Sequence, residues 1–328
     1  VVTRTEVRPV EIAARSVLAA AVRKQRLALA AKVANTDADR ELMRLLITPL
    51  RLSAGITRLA LVLDAPLNQV SFAAVGGVID RYEVMEVPSG AALMALRTRA
   101  KPARKASVRI VADPVFDAMD SRAKKDETIV SEEVGGPARL HFSRIEAQEI
   151  LKIAGEGNGV QHLGLAAEKG LLGQKAFREA TIVHLATHAQ VDEERPELSA
   201  VLFSAVDGSG RSRNGHLRLY EIYRLRLAAD LVVLSGCTTA LGTELSGEGT
   251  MSLARGFMYA GAGKVLASQW EVEDRATSEL MTRFYEGLLR KRLPAAAALR
   301  QAQLGMRADA RWKHPYYWAG FRLAGDWR

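Results

Sequence analysis

The chain has 328 residues, 48% of them hydrophobic and 25% charged, with a formal net charge of +9. That balance is ordinary for a globular protein and leaves room for one large α/β domain or two smaller ones. A single cysteine excludes a disulfide framework, and a free thiol fits a reducing compartment, so a cytoplasmic location is expected. No apolar run reaches the roughly 18 residues of a membrane span, so no membrane partner is expected, and no signal peptide is visible. The chain opens on Val1 rather than methionine, so upstream signals cannot be judged from it.

The basic excess invites a nucleic-acid reading, and the placement of the charges argues against it. The arginines are scattered along predicted helices beside acids and alanines. Clusters such as Lys101 to Lys105 and Arg122 to Lys125 are short, with no aromatic residues interleaved for base stacking. A solvated Arg-rich surface, or attraction to acidic partner segments, explains them better.

In chain order, residues 8–34 predict one long amphipathic helix rich in Ala, Leu and Arg. Asn35, Thr36 and Asp37 are a stop-and-cap signal, so 1–37 is set apart as a leading helical segment. A second helix is expected over 38–48, before Pro49. TRLALVLD (57–64) and ASVRIVADP (106–114) predict strands. Residues 117–137 are charged and Gly-ended and read as an exposed loop, with Arg122, Lys124 and Lys125 as places where the chain is open to cleavage. Ser143 and Glu146 have capping-box spacing and open a helix over 144–154.

A clear βα alternation follows. Predicted helices at 173–179, 219–225 and 250–261 precede strands at 181–187, 230–235 and 264–270. Helices at 275–291 and 294–307 come next, and 316–325 reads as a closing edge strand. Continuous apolar strands separated by helices imply a mostly parallel sheet covered on both faces. The segment 38–155 repeats the strand–loop theme loosely, as an N-terminal α/β half before a second half at 156–328.

Several chemistries fail on spacing. Gly261-Ala-Gly-Lys264 lacks the upstream glycine of a phosphate loop and ends in Val265. No strand leads into G-x-G-x-x-G, and no G-x-S-x-G elbow exists. His184 and His188 are four apart, but on a strand that places them about 13 Å apart at 3.3 Å per residue, and no further ligands accompany them. No metal or cofactor is therefore expected. His184, among apolar neighbours, reads as a core histidine.

One arrangement survives. Active sites of open parallel sheets form beyond the carboxyl ends of the strands. There the strand 181–187 delivers His188 and the strand 230–235 delivers Cys237. An imidazole can lower the pKa of a nearby thiol or carry its proton. Small residues around the cysteine, Ser235, Gly236 and Thr238, admit a peptide backbone. The competing reading is an inert buried thiol.

These segments together resemble the CHAT domain, a branch of the caspase-like cysteine peptidases that also includes separase. The matching stretches, in order, are LLITPL (45–50), LALVLDAPLNQVSFAA (59–74), VADPVFD (111–117), ATIVHLATHA (180–189), ADLVVLSGCTTALG (229–242), 247–277 and HPYYWAGFRLAGDW (314–327). The resemblance implies a caspase-like fold over 38–328, led by the helical segment. It implies that Cys237 attacks the scissile carbonyl and His188 assists proton transfer. The oxyanion is then expected at the backbone N–H groups of Cys237, Gly236 and Ala189, the last standing where the family commonly has glycine.

In separase-like relatives an acid after the next strand receives a basic P1 side chain. The matching stretch here is SQWEVEDRAT, so Asp274, then Glu271, are expected to form that pocket, with Trp270 as a wall. Asp274 is equally placed to cap the helix 275–291. The implied partners are a specific protein substrate with a basic cleavage site and an upstream helical-repeat segment or activator. The implied setting is a bacterial regulatory, cell-death or defence pathway. The alternative is a catalytically latent module that uses the same scaffold for binding.

Overall fold

The computed structural model describes residues 1–33, 36–98, 104–123, 136–192, 194–236, 238–239 and 248–326, with backbone alone at 36, 238, 239 and 248–252. The first part holds helix α1 (Arg15–Ala30), α2 (Thr36–Leu42), strand β1 (Arg58–Leu61), the single turn α3 (Val78–Arg81), β2 (Glu83–Glu86), α4 (Gly90–Thr98), β3 (Val108–Pro114) and α5 (His141–Ala154). The rest holds β4 (Gly159–Gly164), α6 (Lys175–Arg178), β5 (Ile182–Ala186), β6 (Ala189–Gln190), β7 (Ala200–Leu202), β8 (His216–Arg218) and α7 (Leu219–Ile222). It continues with β9 (Leu231–Leu234), β10 (Thr238–Thr239), α8 (Glu248–Tyr259), β11 (Lys264–Ser268), α9 (Asp274–Tyr285), α10 (Ala295–Ala308) and β12 (Phe321–Gly325).

Eight strands form one sheet in the order β1-β2-β12-β11-β9-β5-β3-β4. The strands from β11 to β4 are mutually parallel, as are β12, β2 and β1; the two blocks meet in an antiparallel pair at β11 and β12. Alternate residues of each central strand feed opposite faces, as the period of two requires. Ile110, Val233 and Leu266 pack with α5, α9 and α10 through Ile150, Leu280 and Leu299. Val111, Val232 and Val265 pack on the other face with Leu253 and Phe257 of α8. Both faces are apolar because both are covered, which is why these strands read as continuous hydrophobic runs. A shorter sheet, β10-β6-β7-β8, lies beyond the ends of β5 and β9.

Several elements depart from expectation. The leading helix is regular only over 15–30, and its Leu18, Ala21 and Val22 pack on Leu42, Phe72 and Val75. The closing strand begins at Phe321, because Pro315 opens a 3-10 turn, and it is interior: β2 extends the sheet past it. The capping box at Ser143 and Glu146 does not form. Helix α5 starts at His141, the Ser143 hydroxyl donates to the Leu140 carbonyl, and Glu146 is buried. In the loop 117–137, Arg122 is half-buried and bound to Asp113 and Asp120, so it is not an open cleavage point; Lys124 and Lys125 lie outside the described residues. Among the described residues no helix is long and apolar enough to cross a membrane, and no cluster of His, Cys, Asp and Glu is fit for a metal.

Candidate active site at the carboxyl ends of the central strands

Strands β5 and β9 are parallel neighbours, with Ile182 opposite Leu231 and Leu185 opposite Leu234. Their carboxyl ends release Thr187-His188 and Ser235-Gly236 side by side. The two chains are so close that a Cβ added at Gly236 would collide with the Thr187 backbone, so only glycine fits. Past that point Thr238 of β10 pairs in parallel with Ala189 of β6. Cys237 itself lies outside the described residues, but the residues on both sides of it run directly along the His188 segment.

His188 is 5% exposed, and its ring packs against Phe116 with centroids 5.3 Å apart. Its Nε2 lies 2.7 Å from the Ala138 carbonyl oxygen, and its Nδ1 is buried with no hydrogen-bond partner among the described residues. A carbonyl oxygen only accepts, so Nε2 carries the proton and donates. Burial pushes the His188 pKa below its ordinary value, against the Ala138 bond and the Glu271 charge, which raise it. The result is a neutral imidazole at pH 7 whose lone pair sits on Nδ1, a base that no described residue occupies.

The backbone around this histidine is fixed from the other side as well. The Leu202 N–H donates to the His188 carbonyl at 2.9 Å, and the Thr187 hydroxyl donates to the Leu202 carbonyl at 2.6 Å. Ala189 is paired on both sides, with Thr238 and with Val201.

Asp274 begins α9 but does not cap it. The cap is Glu273, whose carboxylate accepts from the N–H groups of Arg275 and Ala276. Asp274 instead accepts from the Phe142 N–H at 2.7 Å, in the first turn of α5. Burial, with Glu146 and Glu273 nearby, pushes its pKa up to about 6, and the Phe142 bond opposes the rise. It lines a small pocket with Ser143, Glu146, Ser235, Gly236 and Thr277, immediately beside position 237.

Glu271 and Trp270 lie further along the strand ends. Trp270 is buried against Gly320, and its indole N–H donates to the Tyr316 carbonyl at 3.0 Å. Glu271 is exposed, and its own carbonyl accepts from the Tyr316 hydroxyl at 2.7 Å. With Leu29, Gln69 and Tyr316 they line an open cleft of about 190 Å³.

Beneath the strand ends lies a buried polar cluster. His184 is fully buried, with Nδ1 3.1 Å from the Tyr285 hydroxyl and Nε2 2.7 Å from a Glu146 carboxylate oxygen. The Glu146 contact is at ion-pair distance but off the line of a hydrogen bond, and that oxygen has no other partner. Burial and the Glu146 charge hold the Tyr285 hydroxyl protonated, within hydrogen-bond distance of Nδ1. Ser235, two residues before Cys237, stands 3.2 Å from His184 Nε2. His184 is thus a partnered core histidine, as its neighbours in sequence predict.

Two parts of the site carry no side-chain signal in the sequence. One is the Ala138 carbonyl, a backbone atom. The other is Asp113, which reads only as a strand stop, yet its fully buried carboxylate binds Arg122, Arg139 and Arg144.

The CHAT domain family matches residues 36–326. Tetratricopeptide repeat protein 28 of Homo sapiens is 28% identical over 311 residues, which is 82% of this chain and 12% of that protein. A probable protease of Vitiosangium sp. (strain GDMCC 1.1324) is 35% identical over 92 residues, 27% of this chain and 12% of that protein. Among solved structures, the Arg-specific cysteine proteinase gingipain R superposes with a TM-score of 0.52 at 11% identity, covering 89% of this chain and 68% of that one. The chain therefore belongs to the CHAT domain family and has the fold of the caspase-like cysteine peptidases.

Proposed function

We propose that the chain is a cysteine endopeptidase that uses Cys237 as nucleophile and His188 as proton carrier to cut a specific partner protein after a basic residue. The observation that carries this reading is the neutral His188, with an unpartnered Nδ1, beside the backbone that flanks position 237. In the first step Nδ1 takes the thiol proton while Sγ bonds to the scissile carbonyl carbon. The oxyanion is assigned to the backbone N–H groups of Gly236 and Cys237, while Ala189, paired on both sides within the small sheet, is left out of it. As the carbon–nitrogen bond breaks, Nδ1 returns the proton to the leaving amine. Water then attacks the thioester, giving a proton to Nδ1, and Sγ leaves.

The P1 side chain belongs to the residue that bears the scissile carbonyl, so it belongs in the pocket nearest the nucleophile. That is the Asp274 pocket, which Gly236 lines, rather than the Glu271 cleft, which no residue of 235–236 lines. An acid there pairs with Arg or Lys in a partly desolvated setting. Trp270 and Glu271 are assigned to a more distant residue of the substrate. The long human relative named for tetratricopeptide repeats supports a helical-repeat segment as the means of bringing the substrate in.

The test is a set of peptide reporters that differ only at P1. Arg and Lys reporters are expected to be cut, and Cys237→Ala and His188→Ala to abolish cutting in folded protein. Activity kept in both variants overturns the dyad.

A further inference from the structure

Asp113 ends the central strand next to β5, in the left-handed region with φ +51°, and the register of β3 against β4 shifts around it. Its carboxylate is fully buried and takes three guanidinium groups. Arg139 binds it with two prongs, Nε to Oδ1 at 2.7 Å and Nη2 to Oδ2 at 2.8 Å. Arg144 donates from Nε to Oδ2 at 2.7 Å, and Arg122 reaches Oδ1 at 2.8 Å. One charge needs one partner, and a two-pronged Arg already satisfies most of a carboxylate's acceptor sites. Three arginines on one buried acid make a geometric device rather than a charge balance.

What the device holds is the chain at 136–140, which has no regular secondary structure. Ala138 and Arg139 share a peptide plane, so fixing Arg139 aims the Ala138 carbonyl. That carbonyl is the partner of His188 Nε2. Gly136 supports the same segment by resting on Phe116, which also packs the His188 ring.

We propose that Asp113 and Arg139 are positioning residues: their two-pronged bond aims the Ala138 carbonyl, which fixes the orientation and tautomer of His188. The bond acts through backbone, so a lysine at 139 keeps the charge and loses the aim. Arg144 shares the same carboxylate but is not adjacent to Ala138, so it is an internal control. The proposal rests on the peptidase reading only for its kinetic consequence, since the tautomer is observable in an inactive protein.

The test is nitrogen-15 NMR of the histidine rings in the full chain at pH 7.5, with His188→Gln to assign the signal. The wild type is expected to show a protonated Nε2 and an unprotonated Nδ1 at residue 188. Arg139→Gln is expected to give a mixture of the two tautomers, Arg139→Lys a smaller shift in the same direction, and Arg144→Gln the wild-type pattern. Where cleavage is measurable, Arg139→Gln is expected to lower kcat about 10- to 100-fold with little change in KM. A folded Arg139→Gln with the wild-type ring pattern overturns the proposal, as does an equal shift in Arg144→Gln. If Arg139→Gln does not fold, an unshifted Arg139→Lys overturns it instead. An expected ring pattern without any cleavage leaves this proposal standing and removes the peptidase reading.

Discussion

Ala138 and His188 are fifty residues apart in the chain and meet through one 2.7 Å hydrogen bond. The bond assigns the proton to Nε2 and leaves Nδ1 as the only basic nitrogen of the ring. An imidazole so fixed cannot turn over to present the wrong nitrogen. His188→Gln keeps a donor for the Ala138 carbonyl but offers no base. It is expected to fold and to lose roughly 10²- to 10⁴-fold in kcat, measured with an Arg reporter. A loss under tenfold contradicts the assignment of the base.

The pH profile follows from two groups. The His188 pKa lies below its ordinary value because of burial, so the base form is present above that lowered pKa and is lost as pH falls through it. Asp274 titrates near 6 for the same reason, and it is an anion above that value. The preference for Arg over a neutral P1 residue is therefore expected to hold at pH 7.5 and to shrink as pH falls through about 6. Reporter pairs measured from pH 5 to 8 read this directly.

Asp274→Asn removes the charge and keeps an acceptor for the Phe142 N–H. The expected loss is that of a charge-assisted bond, ~1.5–3 kcal/mol, or about 10- to 100-fold in kcat/KM for Arg substrates only. Glu271→Gln is expected to leave the P1 preference in place. The reverse pattern moves the pocket to Glu271.

The cluster under the strand ends makes a stability prediction. Glu146 and His184 are 1% and 0% exposed and meet at 2.7 Å. Removing one partner of a buried pair costs about 3–5 kcal/mol, so Glu146→Leu is expected to lower the urea midpoint sharply. A Glu146→Leu, His184→Leu double variant is expected to cost less than the sum of the two single changes. Additive costs would show that the pair does not act as a unit.

Much of the frame was legible because it rests on patterns local to the chain. The runs at 106–114, 181–187, 230–235 and 264–270 are mostly apolar, with only isolated breaks such as Arg109 and His184, and they become β3, β5, β9 and β11 in the middle of the sheet. That placed His188 and Gly236 at one edge. The small sheet was not legible, since strands of two or three residues carry no periodicity. The interior position of β12 depends on β2, which lies more than two hundred residues earlier in the chain. Ser143 and Glu146 match a helix-start pattern in spacing alone; burial against Asp113 and His184 gives them other partners. The carbonyl of Ala138 could not be read at all, because any residue supplies one.

On the proposed mechanism Cys237 is a nucleophile activated by His188. The most direct measurement is mass spectrometry of the intact chain after treatment with an irreversible peptidyl ketone bearing Arg at P1. Because the sequence has one cysteine, a single adduct can be assigned to it without ambiguity. One equivalent of label is expected on Cys237, lost in His188→Gln and weak with a neutral P1 residue. An unlabelled Cys237, or equal labelling in the His188→Gln variant, would contradict it.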